Sequence, residues 1–286
     1  MTSTARQPLF LMESLAQASQ HDFDRAVRLL RDRAGIVLGG HKREMAARTL
    51  GLRAKRLGKK TIEGYLNYLE QDTGLPEWEH FVNAFTINHT AFFREAHHFE
   101  TLNKWVRDRK RPVSVWCCAA STGEEPYSIA MTLREALPGA DSQISVWATD
   151  IDTHAIERAR FGVYSLDRVQ PVPDGMLKKY FYRGKGTQDG MVRVKPVIHN
   201  LVQFEPFNLV SPIWPSDKKF DAIFCRNVMI YFDKETQTQV LGQFSKMLKP
   251  EGLLFVGHSE NFTYLSKAFR LQGQTVYVEA QGGRRP

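Results

Sequence analysis

The segment AASTGEEPYS, residues 119–128, is a turn of small residues opening a helix, a shape that lets a ligand approach the backbone closely. It lacks both the G-x-G-x-x-G spacing and the lysine of a phosphate loop, and Glu124 and Glu125 beside it would repel a pyrophosphate while suiting a cationic ligand. About 30 residues further on, Asp150 ends the run QISVWATD, where an acid can accept hydrogen bonds from a ribose diol. A third group, FCRNVMIYF at residues 224–232, holds Asn227 and Tyr231, whose polar groups need partners if buried. Enzymes that methylate exocyclic amines of bases carry Pro-Pro and an aromatic after the Asp or Asn at such a place. Here Val228 and Met229 follow Asn227, which counts against amine methylation of nucleic acid.

The elements that must position these residues are legible as a change of pattern along the chain. Residues 1–85 read as a small all-α domain: FDRAVRLLRDRAG has an acid in its first turn and a glycine stop, and TIEGYLNYLEQD closes the set. Residues 86–286 read as an α/β domain. From about residue 112, β-rich runs (VSVWCCAA, QISVWATDID, FDAIFCRNVMIYF, EGLLFVGH) alternate with helical ones, which predicts a mostly parallel, Rossmann-like sheet covered by helices. The alternation is interrupted at about residues 165–205, where a Gly-rich hairpin signal predicts a small inserted β subdomain. In such a sheet ligands bind beyond the carboxyl ends of the strands, where AASTGEEPYS, Asp150 and Asn227 fall. Taken singly, each is also what a helix cap or a strand end looks like. Taken in order, they describe a site for a nucleoside with a cationic tail and no phosphates, which is S-adenosylmethionine.

Four motifs carry a wider resemblance: NHTAFFREAHHF, AASTGEEPYSIAM, FDAIFCRNVMIYFD and GLLFVGHSENF, in this order and spacing. With them the chain resembles the chemotaxis receptor methyltransferases, the CheR family, from AGIVLGGHKRE to GQTVYV. The resemblance implies transfer of a methyl group from S-adenosylmethionine to glutamate side chains of bacterial chemoreceptors, leaving S-adenosylhomocysteine. It also implies the architecture just described, a helical domain followed by a Rossmann-like methyltransferase domain with an inserted β subdomain. By the same resemblance Asn88, Thr90, Arg94, Ala119, Glu125, Asp150, Asn208, Leu209, Asn227 and Val228 are implied cofactor-site residues, and Arg94 and Tyr231 are implied at the reacting centre. Phe92 and Phe93 are read as packing that fixes Arg94.

The implied chemistry needs few catalytic groups. A glutamate carboxylate, with a pKa of about 4.3, is already ionised at neutral pH and needs no general base. The sulfonium donor is already activated. What remains is to align one carboxylate oxygen and strip its water, and alignment alone supplies roughly 7 to 11 kcal/mol. Arg94 and Tyr231 are expected to orient the carboxylate more than to neutralise it, because a tight ion pair would weaken the nucleophile.

The net charge of +8 is concentrated in residues 41–60, HKREMAARTLGLRAKRLGKK, which hold eight Lys or Arg against one Glu. On an α-helix Lys42, Thr49, Arg53 and Arg56 fall on one face, beside an apolar face of Ala46, Leu50, Ala54 and Leu57. An acidic partner is expected there, and the resemblance implies a chemoreceptor's cytoplasmic coiled coil, with Lys42, Arg53 and Arg56 in contact. The inserted subdomain resembles the part that in some family members docks a receptor C-terminal peptide by strand addition. Nucleic acid and membrane insertion are not expected as partners. The chain reads as cytoplasmic: it has no apolar run near the roughly 20 residues a membrane span needs, and its N-terminus has no signal-peptide core. Cys117, Cys118 and Cys225 form no disulfide framework, and His89, His97 and His98 have no matching ligand pattern, so no metal site is expected. Two other readings stay open at this point: a nucleic-acid methyltransferase of the same fold, and a module that binds S-adenosylmethionine without catalysis.

Overall fold

The computed structural model describes residues 18–109, 111–263, 265 and 267–280. The chain divides into two compact units, one ending at Thr86 and the other beginning at Ile87.

The first unit contains α1 (Gln20–Ala34), α2 (Arg43–Arg56), α3 (Ile62–Gln71) and α4 (Glu77–Asn83). Ser19 and Asp22 close a reciprocal capping box at the start of α1, satisfying two orphan N–H donors, and Thr61 caps α3 through the Gly64 N–H. The core is made by Leu30, Leu50, Tyr65, Leu66, Leu69 and Phe81, all fully buried, each apolar side chain contributing about 1.5–3 kcal/mol of transfer free energy.

The second unit begins with α5 (His97–Arg109) and continues through β1 (Val113–Cys117), α6 (Glu124–Ala136), β2 (Ile144–Asp150), α7 (Thr153–Phe161), β3 (Val163–Ser165), α8 (Asp174–Tyr180), β4 (Phe181–Arg183), β5 (Met191–Val194) and α9 (Pro196–His199). It closes with β6 (Val202–Pro206), β7 (Phe220–Cys225), α10 (Lys234–Met247), β8 (Leu248–Val256), β9 (Phe269–Gly273) and β10 (Val276–Glu279). The large sheet has the order β6-β2-β1-β7-β8-β10-β9, parallel from β6 to β8, with β10 antiparallel to β8 and to β9.

Alternate residues of one strand face opposite sides of the sheet. Val115, Cys117, Ala222, Phe224 and Phe255 join the core under α5 and α6. Trp116, Cys118, Ile223, Cys225, Leu254 and Val256 join the core under α10. Burial on both faces is why β7 reads as a near-continuous apolar run in sequence.

The small sheet, order β3-β5-β4, is antiparallel. It starts at Val163, slightly ahead of the interruption read from sequence, and Val202–Pro206 is not part of it. That strand pairs with β2 as the outer edge of the large sheet. The polar residues of VQFEP masked a parallel strand that is exposed on one face.

Candidate functional site

The strand order reverses between β1 and β7, so a crevice opens at their carboxyl ends. The chain past β1 is held there by three backbone donors: Cys118 N–H to Phe224 C=O (2.9 Å), Ala120 N–H to Thr149 C=O (2.9 Å) and Ser121 N–H to Asp150 Oδ2 (2.8 Å). Ser121 is left-handed (φ 47°), and Gly123 (φ 98°) caps α6. A Cβ on Gly123 would lie 2.7 Å from Tyr164 Oη and 2.9 Å from Ala159 Cβ, so only glycine allows this turn to close onto α7. Ala119, Asp150, Asn208 and Asn227 therefore gather at the ends of β1, β2, β6 and β7, and Leu209 is buried beside them.

Asp150 accepts from two backbone donors, Ser121 N–H on one oxygen and Asp152 N–H (2.9 Å) on the other. Burial pushes its carboxyl up to about 6, with the Asp152 and Ser121 N–H groups pulling the other way. Asn88 is a strut in the same network: its amide oxygen accepts from Ser121 Oγ (3.0 Å) and its amide nitrogen donates to Asp152 Oδ2 (2.6 Å). Asp152, which sequence reading did not single out, in turn caps α7 through Ala155 N–H (3.0 Å).

The two glutamates at the head of α6 have different fates. Glu124 is fully buried and takes Arg168 and Thr122 Oγ1, so its charge is answered within the protein. Glu125 accepts from Arg226 Nη1 (2.6 Å) and Cys117 Sγ (3.3 Å). Burial raises its carboxyl above the ordinary range, against the pull of Arg226.

Arg94 lies between two left-handed residues, Phe93 (φ 52°) and Glu95 (φ 59°), a costly backbone for side chains of this kind. Three contacts over-determine it. Phe93 N–H donates to Ser128 Oγ (3.0 Å), Arg226 Nη2 donates to the Arg94 carbonyl (2.5 Å), and Arg94 Nη1 donates to the His89 carbonyl (3.0 Å). Phe92 is buried edge-to-face against Tyr164 and Phe181, and Phe93 packs on Phe99, while Thr90 is half-buried in the same segment. Arg226 also pairs with Glu95 (3.1 Å); burial alone would raise the Glu95 carboxyl, but Arg226, His258 and His98 bring it below its ordinary value. Arg226 sits within FCRNVMIYF, yet nothing local marked it, because its partners are more than 100 residues away.

After β7, Asn227 is left-handed (φ 59°), Val228 is half-buried, and Met229–Tyr231 form a 3-10 turn that carries Tyr231.

The basic helix differs from its sequence reading. Lys42 is half-buried in a 3-10 turn, Gly40–Lys42, ahead of α2, so the 3.6-residue period does not place it in line with the others. Arg53 turns inward to Glu77, through Nε (2.8 Å) and Nη2 (2.6 Å), and Tyr65 Oη donates to the same carboxylate (2.8 Å). Arg53 is therefore not part of an open receptor face. Ala46, Leu50 and Ala54 are buried as read, whereas Leu57 follows the last turn of α2 and is 37% exposed. The exposed face of α2 includes Arg48, Lys55 and Arg56 around Met45 and Leu52, at i, i+3, i+7, i+10 and i+11 from Met45, with Arg43 and Glu44 also exposed in its first turn.

Comparison with known proteins decides the family. The CheR methyltransferase SAM binding domain matches residues 88–278, and the CheR methyltransferase all-alpha domain matches residues 21–86. The chain belongs to the CheR methyltransferase family. It is 49% identical over 270 residues to the chemotaxis protein methyltransferase of Escherichia coli (strain K12), covering 94% of each chain. To that of Salmonella typhimurium (strain LT2) it is likewise 49% identical over 270 residues, covering 94% of this chain and 93% of that one. Chemotaxis protein methyltransferase 2 of Pseudomonas aeruginosa is 44% identical over 265 residues, or 92% of this chain and 94% of that one. As a CheR methyltransferase the protein is an S-adenosylmethionine-dependent enzyme of chemotaxis. Its site suits that cofactor on its own terms, with an acid at the β2 end for a diol and a turn that only a glycine closes, whereas the charge of Glu125, read from sequence as suiting a cation, is already met by Arg226. No helix among the described residues is long and apolar enough to cross a membrane.

Proposed function

We propose that the protein methylates glutamate side-chain carboxylates of chemoreceptors, releasing S-adenosylhomocysteine. The observation that carries this reading is the over-determined Arg94, whose peptide is fixed on one side by Ser128 and on the other by Arg226. An anion-orienting guanidinium on so rigid a segment suits an acceptor that is already a nucleophile and needs only direction.

Asp150, Asn208, Leu209, Asn227 and Val228 would line the nucleoside side of the cofactor, and Ala119, Glu125 and Thr90 its cationic tail. When bound, S-adenosylmethionine supplies an activated methyl on a sulfonium. Arg94 and Tyr231 would orient the acceptor carboxylate by hydrogen bonds, and Phe92 and Phe93 hold Arg94 while excluding water.

The exposed face of α2 would meet the receptor. Arg48, Lys55 and Arg56 complement an acidic coiled coil, and Met45 and Leu52 between them offer an apolar strip for a helix. The small sheet offers a second contact: β4 is an edge strand, and a groove of about 340 Å³ lined by Tyr182, Arg193, Pro196, His199 and Asn200 runs beside it, suited to an added receptor C-terminal strand.

The test is to incubate methyl-labelled S-adenosylmethionine with a receptor cytoplasmic fragment and with the same fragment carrying alanines at its methylation-site glutamates. Label on the first and not the second is expected. Equal label on both would overturn the glutamate assignment.

A further inference from the structure

Glu260 stands outside every role assigned above. It is 2% exposed, in the loop after β8, and its carboxylate accepts four backbone donors: Asn227 N–H (2.9 Å) and Gly257 N–H (2.6 Å) on Oε2, Val228 N–H (3.0 Å) and Met229 N–H (2.8 Å) on Oε1. Every lone-pair site of the carboxylate is thus used. Three successive N–H groups converging on one point make an anion-binding nest, here filled by the protein's own side chain.

We propose that Glu260 is a positioning residue of the methyltransferase site, which sets the turn carrying Asn227, Val228 and Tyr231; the inference rests on the cofactor-site reading of that turn. Two geometric facts join the two. Asn227 is left-handed, a backbone less favoured than the right-handed one, and its N–H is held in that conformation by Glu260. And the strand end that Glu260 also grips is closed against Asn227: a Cβ on Gly257 would lie 2.3 Å from Asn227 Nδ2 and 3.0 Å from its backbone nitrogen.

Glu260→Gln preserves shape but sets an amide NH2 against two backbone N–H donors, so the turn must move. The test is a double-mutant cycle of Glu260→Gln with Asn227→Ala, reading S-adenosylhomocysteine affinity by calorimetry on variants whose thermal unfolding remains cooperative. Each single variant is expected to weaken binding about tenfold or more, and the double variant no more than about threefold beyond the weaker single. Glu260→Asp, which keeps the charge, is expected to recover part of the affinity. Wild-type affinity in a folded Glu260→Gln, or additive losses, would overturn the proposal. Should Glu260→Gln fail to fold, Gly257→Ala perturbs the same turn from the other side and must show the same non-additivity with Asn227→Ala. Failure of the acceptor assignment is separate: it appears as missing glutamate label with the wild-type protein and leaves this binding cycle intact.

Discussion

Arg53 and Glu77 form a two-point ion pair inside the first unit, with the guanidinium 12% and the carboxylate 4% exposed. The pair raises the Arg53 guanidinium's affinity for its proton, chiefly through the Glu77 hydrogen bonds. Its consequence separates two arginines three positions apart. Arg53→Ala leaves Glu77 buried with only Tyr65 as partner and should lower stability by about 3 kcal/mol, read by urea unfolding. Arg56→Glu, on the exposed face, should change stability by less than about 0.5 kcal/mol and weaken receptor methylation several-fold with S-adenosylhomocysteine binding intact. Equal effects of the two on methylation at full stability would contradict the assignment of the receptor face.

Arg94→Ala should lower kcat by about two orders of magnitude, the loss typical of a misplaced reacting group. Steady-state kinetics beside calorimetry make the check: an unchanged kcat with weakened cofactor binding would remove Arg94 from the reacting centre and leave it a cofactor ligand only. Tyr231→Phe should reduce kcat more than KM for the receptor fragment.

Much of this site was legible in sequence, and the illegible part has a common physical cause. AASTGEEPYS was readable because small residues and a helix-opening acid act locally, and Asp150 because it ends an apolar run. Arg226, Glu260 and Asp152 act through partners that only the fold supplies: Glu125 and the Arg94 carbonyl for Arg226, a turn 31 to 33 residues upstream for Glu260, Asn88 for Asp152. The same blindness misdirected Arg53, whose partner lies 24 residues ahead. Lys42 was misplaced for a different reason, a 3-10 turn that breaks the helical period.

The Asp150 carboxyl, pushed up to about 6 by burial, should make cofactor binding pH-dependent. Above that pH it is ionised and can accept from a diol while keeping the Ser121 and Asp152 N–H bonds; below it, the added proton removes an acceptor site. Affinity for S-adenosylhomocysteine should therefore fall as pH drops through 6, towards tenfold per unit, and Asp150→Asn should bind weakly at every pH with that slope gone. A wild-type affinity flat from pH 5 to 8 would exclude Asp150 as the titrating ligand.

His98 should govern acid stability. It is fully buried, its Nε2 is 3.1 Å from the Gln274 carbonyl and 3.0 Å from Thr275 Oγ1, and its neighbours include Glu95, Arg226, His97 and His258. Burial first, then the charges of Arg226 and His97, push it down to about 3, with the Gln274 carbonyl and Glu95 opposing. Between pH 6.5 and 3 the unfolded chain binds a proton that the folded chain refuses, so this contribution is complete above pH 6.5 and is lost as pH falls, by about 1.4 kcal/mol per unit. Urea unfolding at pH 7.5 and 5.5 should show that loss in the wild type and a smaller one in His98→Gln.

The central claim, a carboxyl methyl ester made on a chemoreceptor, is tested most directly by alkali. The purified protein is incubated with methyl-labelled S-adenosylmethionine and a receptor cytoplasmic fragment, and the labelled fragment is then treated with base. Esters release volatile labelled methanol, and release of nearly all the label is the predicted result; label that stays on the fragment through alkali, as N-methyl groups do, would contradict the account.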